Sequence, residues 1–303
     1  VLFRSVMKQL LKVFVAIIFV IGMSHNVHSQ DKEVGVYLGV TEYLGDLTWK
    51  HVSWNQSKLG GGAFFRYYFT PRFNFKGGLY YGKIEGYDGD KDPAQVGAAW
   101  SREGQFYSHL LDFHGQIEYN ILPFISGNKL RNWSPYIFTG VSVFNFNPKG
   151  VLNGTVYELQ PLGTEGQGKP GYEAKYALTQ ISIPYGFGVK YSFKRPRSSK
   201  QLNLYLWNIA LYVSQNKTFT DHLDDFGGEW PDYTDFNMAD PNDAAAVQLS
   251  DRLGTIAGGV FTSSRPNAAN EAFPRGNPEA NDAYMWFGFS ISKTFRKNTC
   301  FWF

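Results

Sequence analysis

His109, Asp112 and His114 bring two imidazoles and a carboxylate together, a donor set that holds a transition metal when all three converge. In an extended strand Asp112 and His114 share one face while His109 lies on the other, so convergence is not expected. Asp221, His222, Asp224 and Asp225 are oxygen-rich enough for a hard cation but lack the ligand spacing of an EF-hand loop, and a solvated acidic loop is the expectation. His222 and Asp224, with Ser263 and Ser264, supply the residue types of a nucleophile, its base and an orienting group. Their spacing matches no motif with mechanical content, so no catalytic residue, metal site or cofactor is expected. Gly163 to Lys169 (GTEGQGK) matches the opening of a phosphate-binding loop, yet Pro170 and Gly171 follow where a hydroxyl residue and a helix are required. Nucleotide is therefore not an expected ligand.

The other residues that could act at a surface are cations. Lys129 and Arg131 fall in one short connection, and Lys194, Arg195, Arg197 and Lys200 in or beside another, with no acid among them. Such acid-free segments suit either lipid headgroups or a docked protein with an acidic surface.

What must position these residues is a set of long strands. Ile181, Ile183, Tyr185, Phe187, Val189, Tyr191 and Phe193 occupy every second position, and mostly polar or small residues lie between them. The same period recurs over Glu33–Tyr43, Leu59–Phe69, Arg72–Ile84, Phe106–Ile121, Pro135–Asn147, Ala177–Lys194, Leu202–Phe219 and Asp282–Phe295. Ordinary strands run about 5–6 residues, whereas a tilted strand needs about 9–11 to cross a bilayer. Arg66, Asn74, Lys76, His114, Gln116, Glu118, Asn120 and Lys190 sit at alternate positions opposite the apolar faces. So many charges cannot fill a dry core, which places them in a lumen and the apolar face against lipid.

The fold class expected is all-β: a transmembrane antiparallel up-and-down barrel of eight strands with long extracellular loops. Ten strands are the alternative, with an extra hairpin around Ala246–Thr262. Thr70-Pro71, the dozen or so residues after Ile121, and Arg195–Gln201 are the short connections, expected on the periplasmic side with both termini. Leu44–Lys58, Glu85–Gln105, Pro148–Tyr176 and Thr220–Asn281 are the long ones. The last holds eleven acids against Arg252, Arg265 and Arg275, so charge is segregated along the barrel axis.

Residues 1–29 read as an upstream extension, a start at Met7 and a secretory signal peptide cleaved after Ser29. Its apolar run, Val13 to Met23, is short of the roughly 20 residues a spanning helix needs. Residues 30–303 are expected to form a single barrel domain. The formal charge of +3 resides in that leader: Arg4, Lys8 and Lys12 have no acid beside them, and the remaining 26 basic residues match the 26 acids. A uniformly basic surface for nucleic acid is excluded by that balance. Cys300 is the only cysteine, so neither a disulfide framework nor a multi-thiolate metal site can form within the chain.

YELQPLGTEGQG (Tyr157–Gly168) resembles a block of the PorG-like outer-membrane barrels of Bacteroidota. VYLGVTEYLGDL (Val36–Leu47), RYYFTPRFNFKGGLYYGKIEGYD (Arg66–Asp88), YIFTGVSVFNFNPK (Tyr136–Lys149), ISIPYGFGVKY (Ile181–Tyr191), TFTDHLDD (Thr218–Asp225) and RGNPEANDAYMWFG (Arg275–Gly288) extend the likeness in order. The resemblance implies a non-enzymatic component of the type IX secretion and gliding machinery. Its implied partners are outer-membrane lipids and a periplasmic ring built by a lipoprotein and its partner protein. The stretch after Phe295, RKNTCFWF, departs from the pattern, because family members end near the aromatic residue that closes the last strand. A small ligand- or cation-binding transport barrel is the alternative function, and a rim enzyme acting on lipid or glycan a more distant one.

Overall fold

A computed structural model describes residues 31–48, 56–87, 104–193, 206–227, 230–252, 254–263, 275 and 281–295. In chain order its strands are β1 (Lys32–Leu44), β2 (Lys58–Tyr68), β3 (Phe73–Tyr87), β4 (Gln105–Asn120), β5 (Trp133–Asn145), β6 (Pro148–Leu152), β7 (Thr155–Glu158), β8 (Thr179–Ser192), β9 (Leu206–Thr218), β10 (Thr255–Ala257), β11 (Val260–Thr262) and β12 (Ala283–Phe295). Two helices, α1 (Leu159–Leu162) and α2 (Pro241–Ser250), lie in the loops. Among the described residues no helix is long and apolar enough to cross a membrane.

Eight strands close a barrel in the order β1-β2-β3-β4-β5-β8-β9-β12, every neighbour antiparallel, and β12 returns to pair with β1. Closure leaves no open edge in the wall, as a strand structure in hydrocarbon requires. β3 has 15 residues and β4 has 16, well beyond an ordinary strand. The ten-stranded alternative is corrected. Asp240 caps α2 by accepting from the Asn242 N–H, Pro241 begins the helix, and three successive alanines continue it, so that stretch does not form a wall strand. β10 and β11 pair only with each other. A second hairpin, β6–β7, instead extends from β4 within the segment expected as a plain loop. Its turn is Asn153-Gly154, both at positive φ, the geometry that two-residue hairpins favour.

Alternation sorts the side chains as expected. Leu38, Phe113 and Phe289 are 70%, 65% and 63% exposed on the outer surface, while their neighbours Tyr37, Asp112 and Ser290 face inward and are buried. Tyr67, Phe73, Tyr119, Trp133, Tyr191 and Trp207 place aromatic rings around the outside at the end carrying the short turns. Inside, glycines make room for aromatics from facing strands. A Cβ at Gly60 would lie 2.7 Å from the Trp286 ring, and one at Gly188 would lie 2.6 Å from the Tyr136 ring. The architecture is that of an outer-membrane β-barrel with an apolar belt and a filled interior.

Candidate functional site

At the turn end of the lumen, Glu118 on β4 receives Arg66 Nε at 2.8 Å, Lys190 Nζ at 2.5 Å and Asn74 Nδ2 at 2.5 Å. Arg66 also reaches Glu33 on β1, which accepts from Tyr68 at 2.5 Å and from Ser292. Six strands thereby meet in one network, and every member is buried. Charges can be held in such a place because each carboxylate has a cation and further donors. The next layer is aromatic: Tyr37 stacks on Tyr80 at 4.6 Å, Phe138 on Tyr212 at 5.0 Å, and Lys76 Nζ lies 3.7 Å over the Tyr212 ring. Beyond it, Asp112 binds His114 Nδ1 at 2.8 Å and Asn216 Nδ2 at 3.0 Å, and accepts from the Tyr284 hydroxyl.

Described parts of the connections pack into both mouths. At the turn end the β4–β5 connection folds under the barrel: Phe124 is buried against Tyr68, and the Ser126 hydroxyl donates to Asn208 at 2.8 Å. At the loop end Leu223 and Phe226 are buried in the same cluster as Leu47, Phe106 and Phe146. Above them the long loops fold on one another. Arg275 pairs with Glu165 at 2.6 Å, its guanidinium lies 4.0 Å over the Phe226 ring, and Asp225 accepts from Tyr176 at 2.6 Å and from Thr164. Burial, offset in part by Arg275, pushes Asp225 up to about 6. A small apolar core of Phe236, Ala246, Val247 and Phe261 completes this cap.

The acidic loop is therefore not merely solvated. Asp232 accepts from the Thr234 N–H at 2.9 Å, Asp235 from Tyr172 at 2.8 Å, Asp243 pairs with Lys169 at 2.9 Å, and Asp251 accepts from Ser263. Side-chain carboxylates terminate turns and pin loops here, which gives several of these acids a structural use. The phosphate-loop match is used the same way: Thr164, Glu165 and Lys169 all hold the cap together. His222 packs on Tyr176 at 4.9 Å and Ser263 bonds Asp251, so the two have separate partners; Ser264 lies outside the described residues. Asp112 and His114 are joined inside, whereas His109 is outside, bound to the Tyr81 hydroxyl at 2.8 Å. Among the described residues no three His, Cys, Asp or Glu are grouped to hold a metal ion.

Lys129 and Arg131 are exposed at the tip of the β4–β5 connection. Asn128 Oδ1 accepts the N–H groups of Leu130 at 2.8 Å and Arg131 at 3.1 Å, fixing that tip. Leu130 between them is 90% exposed, a feature of the surface that charge counting passed over. Lys194, Arg195, Arg197 and Lys200 lie outside the described residues, as do the leader and the segment after Phe295.

Over residues 11–162 the sequence matches the family described as Domain of unknown function (DUF6089), just over half of the chain. The chain belongs to this family. The matched stretch carries β1 to β5, the β6–β7 hairpin and α1, so Glu33, Arg66 and Glu118 fall within the family domain, and Lys190 and most of the cap lie beyond it. No curated protein matches the sequence. Among solved structures it is similar to Ail, the attachment invasion locus protein of Yersinia pestis, at 7% identity over 88% of this chain and 100% of Ail, with a TM-score of 0.35. Neisserial surface protein A is similar at 9% identity over 87% of this chain and 94% of its own, with a TM-score of 0.33. OprG from Pseudomonas aeruginosa is similar at 9% identity over 89% and 97%, with a TM-score of 0.32.

Proposed function

We propose that this protein is a non-conducting outer-membrane barrel that works as a scaffold, anchoring or positioning periplasmic ring proteins of the type IX secretion and gliding machinery. The observation that carries the scaffold reading is the occupied interior. From Phe124 and Glu118 through Tyr80, Tyr212 and Trp286 to Leu223, successive layers of buried side chains cross the barrel axis. An eight-stranded barrel has just enough interior for such side chains, so work on other molecules falls to its two ends. The type IX assignment is supported by the ordered sequence blocks shared with PorG-like barrels.

In this reading the short turns and both termini face the periplasm, and Lys129, Arg131, Lys194, Arg195, Arg197 and Lys200 dock an acidic face of the ring lipoprotein or its partner. The exposed Leu130 supplies an apolar contact at the centre of one basic pair. Reconstitution in planar bilayers is expected to give no steady conductance. A stable solute-permeable current would instead favour the transport barrel. Changing the six basic residues to Glu is expected to abolish co-purification of the ring proteins, and unchanged recovery would remove these residues from the docking surface.

A further inference from the structure

At the loop end, the Tyr43 hydroxyl lies 2.6 Å from Asp224 Oδ2 and 2.9 Å from Asp282 Oδ1. The other oxygen of each carboxyl already accepts a backbone N–H, from Phe226 at 2.8 Å and from Leu223 at 2.9 Å. All three side chains are buried. A phenol carries one hydrogen, so Tyr43 can donate to one carboxylate only. Toward the other it presents a lone pair, and two oxygens facing each other with lone pairs repel at this separation. A second hydrogen must lie between them. We propose that Asp224 and Asp282 hold one proton between them through Tyr43, and that this proton latches residues 220–227 into the barrel mouth, making closure of the loop end sensitive to external pH. On opening, the proton passes to water and the pair goes from one negative charge to two.

The latch and the plug are one unit. Leu223 and Phe226, which donate to the two aspartates, are the residues that bury against Leu47 and Phe106. Thr218 and Thr220 tie the same segment to the Asp282 backbone, with Thr218 N–H donating at 3.1 Å and Asp282 N–H donating to Thr220 at 3.0 Å. The charged groups facing the pair are Asp46 from the turn after β1, Asp221 from the segment after β9 and, more remotely, Glu165 from the loop after α1. Arg275, a cation of the same cap, is bound to Glu165 and Asp225. Burial first, and then the charge of neighbouring aspartates, pushes Asp224 and Asp282 well above the ordinary carboxylate range, and pushes Asp221 up to about 8. The closed state thus binds a proton that the open state releases. The proton's contribution to closure is complete below the carboxylates' ordinary range, falls by up to about tenfold per pH unit between that range and the raised value, and is gone above it.

Hydrogen-exchange protection factors for residues 220–227, measured on the full chain in phospholipid vesicles between about pH 5.5 and about pH 9.5, test the latch. Protection is expected to fall with pH while the strand amides stay unchanged. Asp282→Asn, whose amide supplies a permanent hydrogen, is expected to flatten the profile. Asp224→Asn is the companion variant should the first fail to fold. Tyr43→Phe is expected to lower protection already at low pH. A flat wild-type profile, or an Asn variant that titrates like wild type, would overturn the proposal. So would restoration of protection at high pH by calcium chloride, which would assign the site to a cation instead of a proton.

Discussion

Glu33 and Glu118 at the turn end of the lumen face Arg66 and Lys190, whereas Asp224 and Asp282 at the loop end face a tyrosine and two backbone N–H groups. Both sets of carboxylates are buried to the same degree. The first is paired with cations fixed in the strands. The second is neutralised by hydrogen, which the medium supplies or withdraws. Burial alone therefore says little about pH response; the partner decides it. The division also follows position, since the cation network lies at the turn end of the lumen and the aspartate pair at the loop end.

The sharpest way to break this contrast is at Glu118. Glu118→Ala leaves Arg66 and Lys190 buried without their shared carboxylate, and a loss of about 3–5 kcal/mol in urea unfolding is expected. A smaller effect tests which surface meets lipid. Phe113→Arg, at the exposed middle of β4, is expected to cost about 2–4 kcal/mol in a bilayer. Val156→Arg, equally an exposed apolar residue but on β7 outside the wall, is expected to change stability by less than about 0.5 kcal/mol.

Comparing cap and wall over a pH series comes next in size. Asp221 is raised from 3.8 to about 8 and Asp225 from 3.8 to about 6, so both bind protons more tightly in the folded cap than when it is released. Their contribution is complete below 3.8 and is lost as pH climbs through about 6 and about 8. Proteolytic nicking of residues 220–263 is expected to increase across that window while the barrel strands stay intact. The smallest expected effect on stability is at the turn end. Lys129→Glu with Arg131→Glu is expected to shift unfolding by less than about 0.5 kcal/mol, because both are exposed, and yet to weaken ring-protein capture.

The wall was legible because its signal is local. Each long segment repeats at period two, and lipid outside with polar groups inside reinforces that repeat along the whole strand. All eight expected segments match wall strands, and Arg66, Lys76, Glu118 and Lys190 lie in the lumen as their alternation implied. Glu33 also carried the signal, two residues before Gly35 and four before Tyr37 on the inward face, but a single acid at a strand start resembles a terminal charge. Asn153-Gly154 was an overt hairpin signal inside a segment read only as loop. The partners of the cap were not legible. Arg275 meets Glu165 across 110 positions of sequence, and Tyr43 meets Asp282 across 239, distances over which no periodicity carries information.

By itself, then, the order of residues determined that this chain makes long two-faced strands, which faces meet lipid, and which side chains turn inward, because those properties depend on neighbours two positions away. Only the closed structure decided what each inward group touches: which carboxylates receive a cation, which share a tyrosine hydroxyl, and which connection residues pack into the mouths. Those contacts join strands far apart in the chain, and their energies exist only once the barrel has brought them together.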